Sequence, residues 1–465
     1  MEKGIQTFIW NGIDLEALRQ VMDMPSDEAV LSVFNSGSMD QIRTLLIDLA
    51  RNDSMVSDQL PKPMHDFVRN ELALSFSEQD ILLFRQTYEI WKRNGLNFVF
   101  ILFFRALPYT YMAEKPANVL KKTKLLVDQP ERRIFETAQF VFDVMDENWW
   151  EPDKRGVLTA LKIRIMHSAI RHIILNNQDG PKWNKDLGKP ISQEDLVATN
   201  QVFSLEFFTG LSILGEALTP EEQHAWYHTW KTIGSIMGVQ ENLICKDVKE
   251  AWTLQHSVYN HLFKDETKAG IPLAKALVDT MHHFHLPVGL TLFMMRRMLR
   301  DNQFPDCFDR MLGPSYRDEY PDLFAKPEND KEKGERRKRR HIDFHNHLKE
   351  YHSTLMQKMD KYRPEKPVKS LLYRLLEWIL NIIGLKKKRN SLIDKHVGIL
   401  QEILNLGGIK ELVEELDEVV EEEIITKFMS TVGGIMVSIL SVHFREGKRA
   451  GFRLPENLKD HWSKP

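Results

Sequence analysis

A chain of 465 residues exceeds the ~250–300 residues at which one core usually stops growing, so two lobes or one large helical body are both open. Hydrophobic content of 42% and charged content of 28% describe an ordinary globular protein, and a net charge of −3 gives no general attraction for nucleic acid. Two cysteines, Cys245 and Cys307, exclude a disulfide framework and a zinc ribbon.

The stretch MEKGIQTFIWNGIDLEALRQ has acidic residues early and no long apolar core, unlike a secretory signal. No run of ~18 apolar residues occurs, so the expected setting is the cytoplasm. Within residues 1–65, Asp40 to Ala50 is the clearest helix. Ser75 and Glu78 have capping-box spacing at the start of a helix running to Tyr88. Asn97 to Leu107 is a very apolar run bounded by Pro108; at about ten residues it is too short to span a bilayer and reads as core. Gln129–Pro130 breaks the chain before the next helix, which has Phe135, Phe140, Val141 and Val144 among its apolar positions. Asn176 to Pro190 is a loop by its Asn, Gly, Pro and Asp content. Ser192 to Asp195 caps the helix after it, and Pro220 stands in the first turn of another, where Glu221 and Glu222 suit the helix dipole. Further helical patterns fall at 246–264, 270–284 and 287–300. Alternating β-branched runs bounded by tight hairpin turns are absent, so the expected class is all-α.

Beyond residue 325 the sequence changes character. Lys326 to Arg340 is a charged linker, either a solvated loop or a patch for an anionic surface. His341, His345 and His347 follow it, an i, i+4 pair among them, without the carboxylate motif of a metal helix. Ser370 to Leu385 is amphipathic and ends in Lys386 to Arg389, which suits either packing on the core or peripheral membrane contact through 370–389. Glu411 to Glu423 is an acidic, solvated face.

Two helices carry unusual polar groups. In Gly156 to Leu175, Leu158, Leu161, Ile165, Ser168 and His172 form one row, and Ile163, Met166, His167, Ile170 and Ile174 another. Two apolar rows imply burial, yet Lys162, Arg164, Arg171 and both histidines need partners there. A core helix with carbonyl-bonded histidines and a ligand-bearing helix both satisfy this pattern. Upstream, Arg133, Glu136 and Thr137 share a face at i, i+3 and i+4, as a structural ion pair or as part of a site.

Five segments follow in a characteristic order: ALPYTYMAEKPANVLKKTKLL, RRIFETAQFVFDVM, KIRIMHSAIR, GKPISQEDLVATNQVFSLEFFTGLSILG and WYHTWKTIGSIMGV. Together they resemble the catalytic domain shared by bacterial rubber oxygenases (latex clearing protein) and the fungal MpaB oxygenase of the mycophenolate pathway. The likeness covers roughly residues 70–310, with HLPVGLTLFMMRRMLRD its later part. It implies a single large multi-helix, globin-like body binding haem b. The division that follows is an N-terminal helical extension at 1–65 and a haem-binding catalytic domain at 66–325. A charged linker at 326–345 and a C-terminal helical region at 346–465 packing on the catalytic domain complete it.

The resemblance makes His167 the proximal iron ligand and Arg133 and Thr137 the distal pair. Rubber oxygenases can carry a lysine between those two positions, where this sequence has Glu136; a carboxylate there acts as a base or pairs with Arg133. Their further distal glutamate has only Glu114 as a nearby candidate. Lys162, Arg164 and Arg171 become candidate partners of the haem propionates. His172, about 140° from His167 around the helix, does not ligate the same iron and is structural. The implied function is a haem-dependent oxygenase using dioxygen on a hydrophobic unsaturated substrate, isoprenoid- or lipid-like, by C=C cleavage. Polyisoprene itself is not expected, for want of an export signal. A haem-binding sensor or carrier without activity is the alternative, and a helical interaction protein lacking the cofactor is a third.

Overall fold

A computed structural model describes residues 8–36, 38, 40–42, 44–45, 59–123, 130–151, 155–176, 182–263, 267–283, 286, 288–300 and 303–324, with the backbone alone at 96, 123, 130–135 and 322. The linker, the His341, His345 and His347 cluster, the 370–389 helix and the acidic 411–423 face lie outside the described residues.

The described elements are helices, apart from one two-strand hairpin. Strands β1 (Ile9–Trp10) and β2 (Ile13–Asp14) pair antiparallel across Asn11–Gly12. Both turn residues have positive φ, 47° and 80°, as a two-residue hairpin of matching twist demands. Asn-Gly is the sequence signal for this turn, and the two-residue strands beside it are too short to form an alternating run. Helix α1 (Leu15–Leu18) follows, capped by Asp14, then α2 (Met24–Phe34) and α3 (Lys62–Leu72).

Helix α4 (Glu78–Ile101) is capped by a full capping box between Ser77 and Asp80, not by Ser75 and Glu78. The segment SFSEQD holds two pairs at the same spacing, and spacing alone does not choose between them. The apolar run after it is helical throughout. A π-turn (Leu102–Ala106) passes into α5 (Leu107–Met112), where Pro108 sits in the first turn and breaks nothing. Phe100, Phe103, Phe104 and Tyr109 in this run are all essentially inaccessible to solvent. No single described helix is long and apolar enough to cross a membrane.

Helices α6 (Glu114–Thr123), α7 (Pro130–Val144) and α8 (Arg155–Asn176) come next, then α9 (Gln193–Ile213) and α10 (Pro220–Ile236). The expected cap holds at Ser192, which boxes with Asp195; Pro220 takes the first turn as expected, and Thr219 before it adds a capping box with Glu222. Helices α11 (Val248–Leu262), α12 (Gly270–His283), α13 (Val288–Met298), α14 (Cys307–Tyr316) and α15 (Pro321–Phe324) complete the body. One contiguous apolar core runs from Trp10 to Phe324. Helix α10 packs along α4, α9 lies against α10 and α11, and α8 lies between α7 and α2.

Helices α7 and α8 approach closely where one ends and the next begins. A Cβ on Gly156 would stand 2.7 Å from Trp149 Cβ and 2.9 Å from the Asp143 carbonyl. Thr159 of α8 donates to the Asp143 carboxylate at 2.9 Å, and Gln139 donates to its other oxygen at 2.8 Å. Both helices that carry the unusual polar groups are thereby fixed to one another.

Candidate functional site

Helices α5 to α11 surround a cavity of about 260 Å³. Its walls are chiefly apolar. Leu107 and Tyr109 come from α5, Val119 and Leu120 from α6, Phe140 from α7, and Val202 and Phe203 from α9. Trp230 from α10 stacks on Phe203 with ring centroids 5.4 Å apart and meets Phe140 edge-on at 6.3 Å, so three aromatic rings form one corner.

Helix α8 presents two different faces. Ile163, Met166, His167 and Ile170, the second row of the sequence pattern, line the cavity. Glu136 and Thr137 of α7 line it as well, Glu136 with only 1% of its surface accessible. The structure thus brings together three of the four residues expected to do chemistry. The side chain of the fourth, Arg133, lies outside the described residues.

The opposite face of α8 holds its cations, and the expectation for them is corrected. Arg164 donates twice to Asp23, from Nε at 2.6 Å and Nη2 at 2.9 Å, and from Nη1 to Glu71 at 2.7 Å. Arg171 donates to Asp27 at 2.6 Å and to the carbonyls of Pro190 and Ile191 at 3.1 and 2.9 Å. Ser168 between them bonds Ser26 at 2.9 Å. None of these side chains, nor that of the fully buried Lys162, lines the cavity. His167 and Arg171 are i, i+4 neighbours on α8, so it is the partners of the guanidinium groups, and not the helix face alone, that turn these cations from the cavity. Two buried guanidinium groups need carboxylates at hand, and α2 and α3 supply them. They are not available to propionates.

His172 packs its ring on Phe34 with centroids 4.3 Å apart, and burial pushes its pKa down. Glu114 accepts from the Ala269 amide at 2.7 Å and from Asn118 at 3.1 Å, and it does not line the cavity. Its candidacy as a distal carboxylate is corrected accordingly.

Several wall residues had no mark in the sequence. Asp195 reaches the cavity while its carboxylate pairs with Arg19 and caps the Ser192 amide at 3.0 Å. Behind it, His261 is held by two carboxylates, Nδ1 with Glu194 at 2.6 Å and Nε2 with Glu16 at 2.7 Å, and Lys115 joins Glu16 at 2.8 Å. Tyr259, another wall residue, donates to Glu206 at 3.0 Å, and Glu206 in turn takes Arg105 at 2.6 Å and Gln255 at 2.8 Å. Burial, reinforced by the Glu206 charge, drives the Tyr259 phenol well above its ordinary pKa, so it is a neutral donor. Partners this distant in the chain leave no local spacing to read.

Among the described residues no group of three or more His, Cys, Asp or Glu side chains converges to hold a bare metal ion. One imidazole in an apolar cavity is a donor set suited to a metal that brings its own macrocyclic nitrogens.

The catalytic-domain model described as ER-bound oxygenase mpaB/B′/rubber oxygenase matches residues 91–325. The rubber oxygenase of Streptomyces sp. (strain K30) is 24% identical over 241 residues, 50% of this chain and 56% of that protein, so the chain spans little more than half of this curated relative. A structure of latex clearing protein in its closed state aligns with a TM-score of 0.50 at 20% identity, over 63% of this chain and 78% of that one, a likeness of fold. With half of its length matched by the family, the chain belongs to the mpaB and rubber oxygenase catalytic-domain family.

Proposed function

We propose that this protein is a haem-dependent oxygenase that uses dioxygen on a hydrophobic, unsaturated, isoprenoid- or lipid-like substrate. The observation that carries the reading is the meeting of His167, Glu136 and Thr137 in one aromatic-walled cavity. The family and the similar rubber oxygenase support oxygenase chemistry. When bound, haem supplies an iron that activates dioxygen, with pocket polarity deciding between storage and reaction.

In this reading His167 would hold the iron through a ring nitrogen, with Met166 and Ile170 of the same helical row supplying apolar wall beside it. Phe140, Phe203 and Trp230 exclude water, which strengthens every electrostatic contact in the cavity. The Thr137 hydroxyl would offer a hydrogen-bond donor to the cavity. Glu136 and Asp195 are the two wall acids among the described residues, and the Asp195 carboxylate pairs with Arg19. In this reading the Glu136 carboxylate, facing the substrate space, serves as a general base.

The absorption spectrum of the purified protein tests this, as isolated and after haem reconstitution. A Soret band with stoichiometric iron is expected, and His167→Ala is expected to lose it through loss of haem retention. Absence of the band from the wild type, or its full retention in His167→Ala, refutes the assignment. Oxygen uptake with polyprenyl or unsaturated-lipid substrates then separates an oxygenase from a haem carrier, which would show none.

A further inference from the structure

Among the described residues three non-glycine positions have positive φ, and two are asparagines, Asn11 and Asn148. Asparagine tolerates that region because its short side chain bonds locally. The third is Ile191 at φ 54°. A β-branched residue there is a genuine outlier, because its two Cβ substituents crowd the following carbonyl. Glycine would adopt the same backbone without cost. Something must hold Ile191 in this conformation, and something must need its side chain.

Arg171 and the start of α9 hold it. Arg171 donates from Nη2 to the Ile191 carbonyl at 2.9 Å and from Nε to the Pro190 carbonyl at 3.1 Å. Its remaining nitrogen is anchored by Asp27 at 2.6 Å. On the other side, Ser192 begins the capping box of α9, and the Gln193 amide donates to the Val21 carbonyl at 2.8 Å. What needs the side chain is equally visible: Ile191 lines the cavity, half-buried and packed on the core. An observed outlier of this kind licenses a functional inference, since strain persists only where the surroundings over-determine it.

We propose that Ile191 is a specificity-determining residue of the cavity, setting the width and length of apolar chain it accepts, and that Arg171 is its positioning residue. The inference rests on the reading of this cavity as the substrate site. The strained backbone aims a branched, rigid side chain at the space a substrate occupies. Arg171 spans two adjacent carbonyls with its planar fork, which a lysine ammonium cannot reproduce.

Calorimetric titration of the full-length protein with geraniol, farnesol, geranylgeraniol and the straight-chain alcohols of matching length tests it without reference to turnover. Ile191→Ala and Ile191→Gly are expected to move the preference at least one step toward the longer or bulkier alcohol, changing the affinity ratio of neighbouring probes by about tenfold. Ile191→Gly is expected to unfold at no lower temperature than Ile191→Ala, because glycine relieves the backbone. Arg171→Lys should shift the preference the same way, whereas Ser26→Ala, which removes only the bond to Ser168, should leave it unchanged. Binding by the variants with the wild-type order of preference overturns the inference while leaving the cavity reading intact. A shift in the Ile191 variants but not in Arg171→Lys overturns the positioning role. Failure of the wild type to bind any of these alcohols overturns both the cavity reading and the inference.

Discussion

At the scale of single residues, Asp143 shows how burial and hydrogen bonding compete. It is 4% exposed, and burial raises its pKa to about 6, against the pull of Thr159 and Gln139, which both donate to it. A folded-state value above the unfolded one means that the folded protein binds more protons between the two. Stability therefore falls as pH rises from about 4 to about 6 and is level above that, by up to roughly 3 kcal/mol from this one group. Asp143→Asn should flatten that part of the stability curve, as followed by urea denaturation across pH 4 to 8; an unchanged slope would place the titration elsewhere. The residues that meet in the cavity were only partly legible in sequence. His167, Glu136 and Thr137 stood out as polar groups among apolar neighbours, and it was the family resemblance that favoured a site over a core helix and a structural ion pair. Ile191 did not, because isoleucine in an apolar wall violates nothing until its φ is known.

At the scale of elements, α8 carries one stripe toward the cavity and another toward α2 and α3. Removing Arg164 would leave Asp23, 4% exposed, without its bidentate partner. Arg164→Ala is expected to cost about 3–5 kcal/mol in chemical denaturation, the range for breaking a buried pair from one side. The double variant with Asp23→Ala should cost clearly less than the sum of the two single ones; simple additivity would show that the pair is not coupled. Helix starts were legible at Ser192, where capping is a matter of spacing over three residues, and at Pro220, which fits the first turn. The two-faced use of α8 was not, since its hydrophobic periodicity is nearly isotropic and its arginines find partners 141 and 144 positions away. Sequence separation on that scale carries no periodic signal.

At the scale of the whole molecule, the family match begins at residue 91, yet the partners of Arg19, Arg164 and Arg171 tie the matched body to the segment before it. Glu16, Asp23, Asp27 and Glu71 all come from that segment. A version starting at residue 91 is expected not to reach the folded state, because several buried charges would lose their counter-charges together. Circular dichroism and cooperative thermal melting would check this, and a sharp transition in the truncated chain would show that the segment is dispensable. The all-helical class and the order of the site motifs were legible from composition and pattern, because both are carried within single helices. The dependence of the body on its N-terminal segment was hidden, because it is carried between them.

The apolar passage from α4 through the π-turn into α5 has a consequence for synthesis. Its covering helices are α9, which packs on the π-turn, and α12, which packs on α5. These lie about 90 to 180 residues later in the chain. At the usual rate of about 5–20 residues per second, the Phe-rich surface at 97–112 emerges well before anything that can bury it. Yield of this protein should therefore respond more to chaperone supply and translation speed than its folded stability suggests.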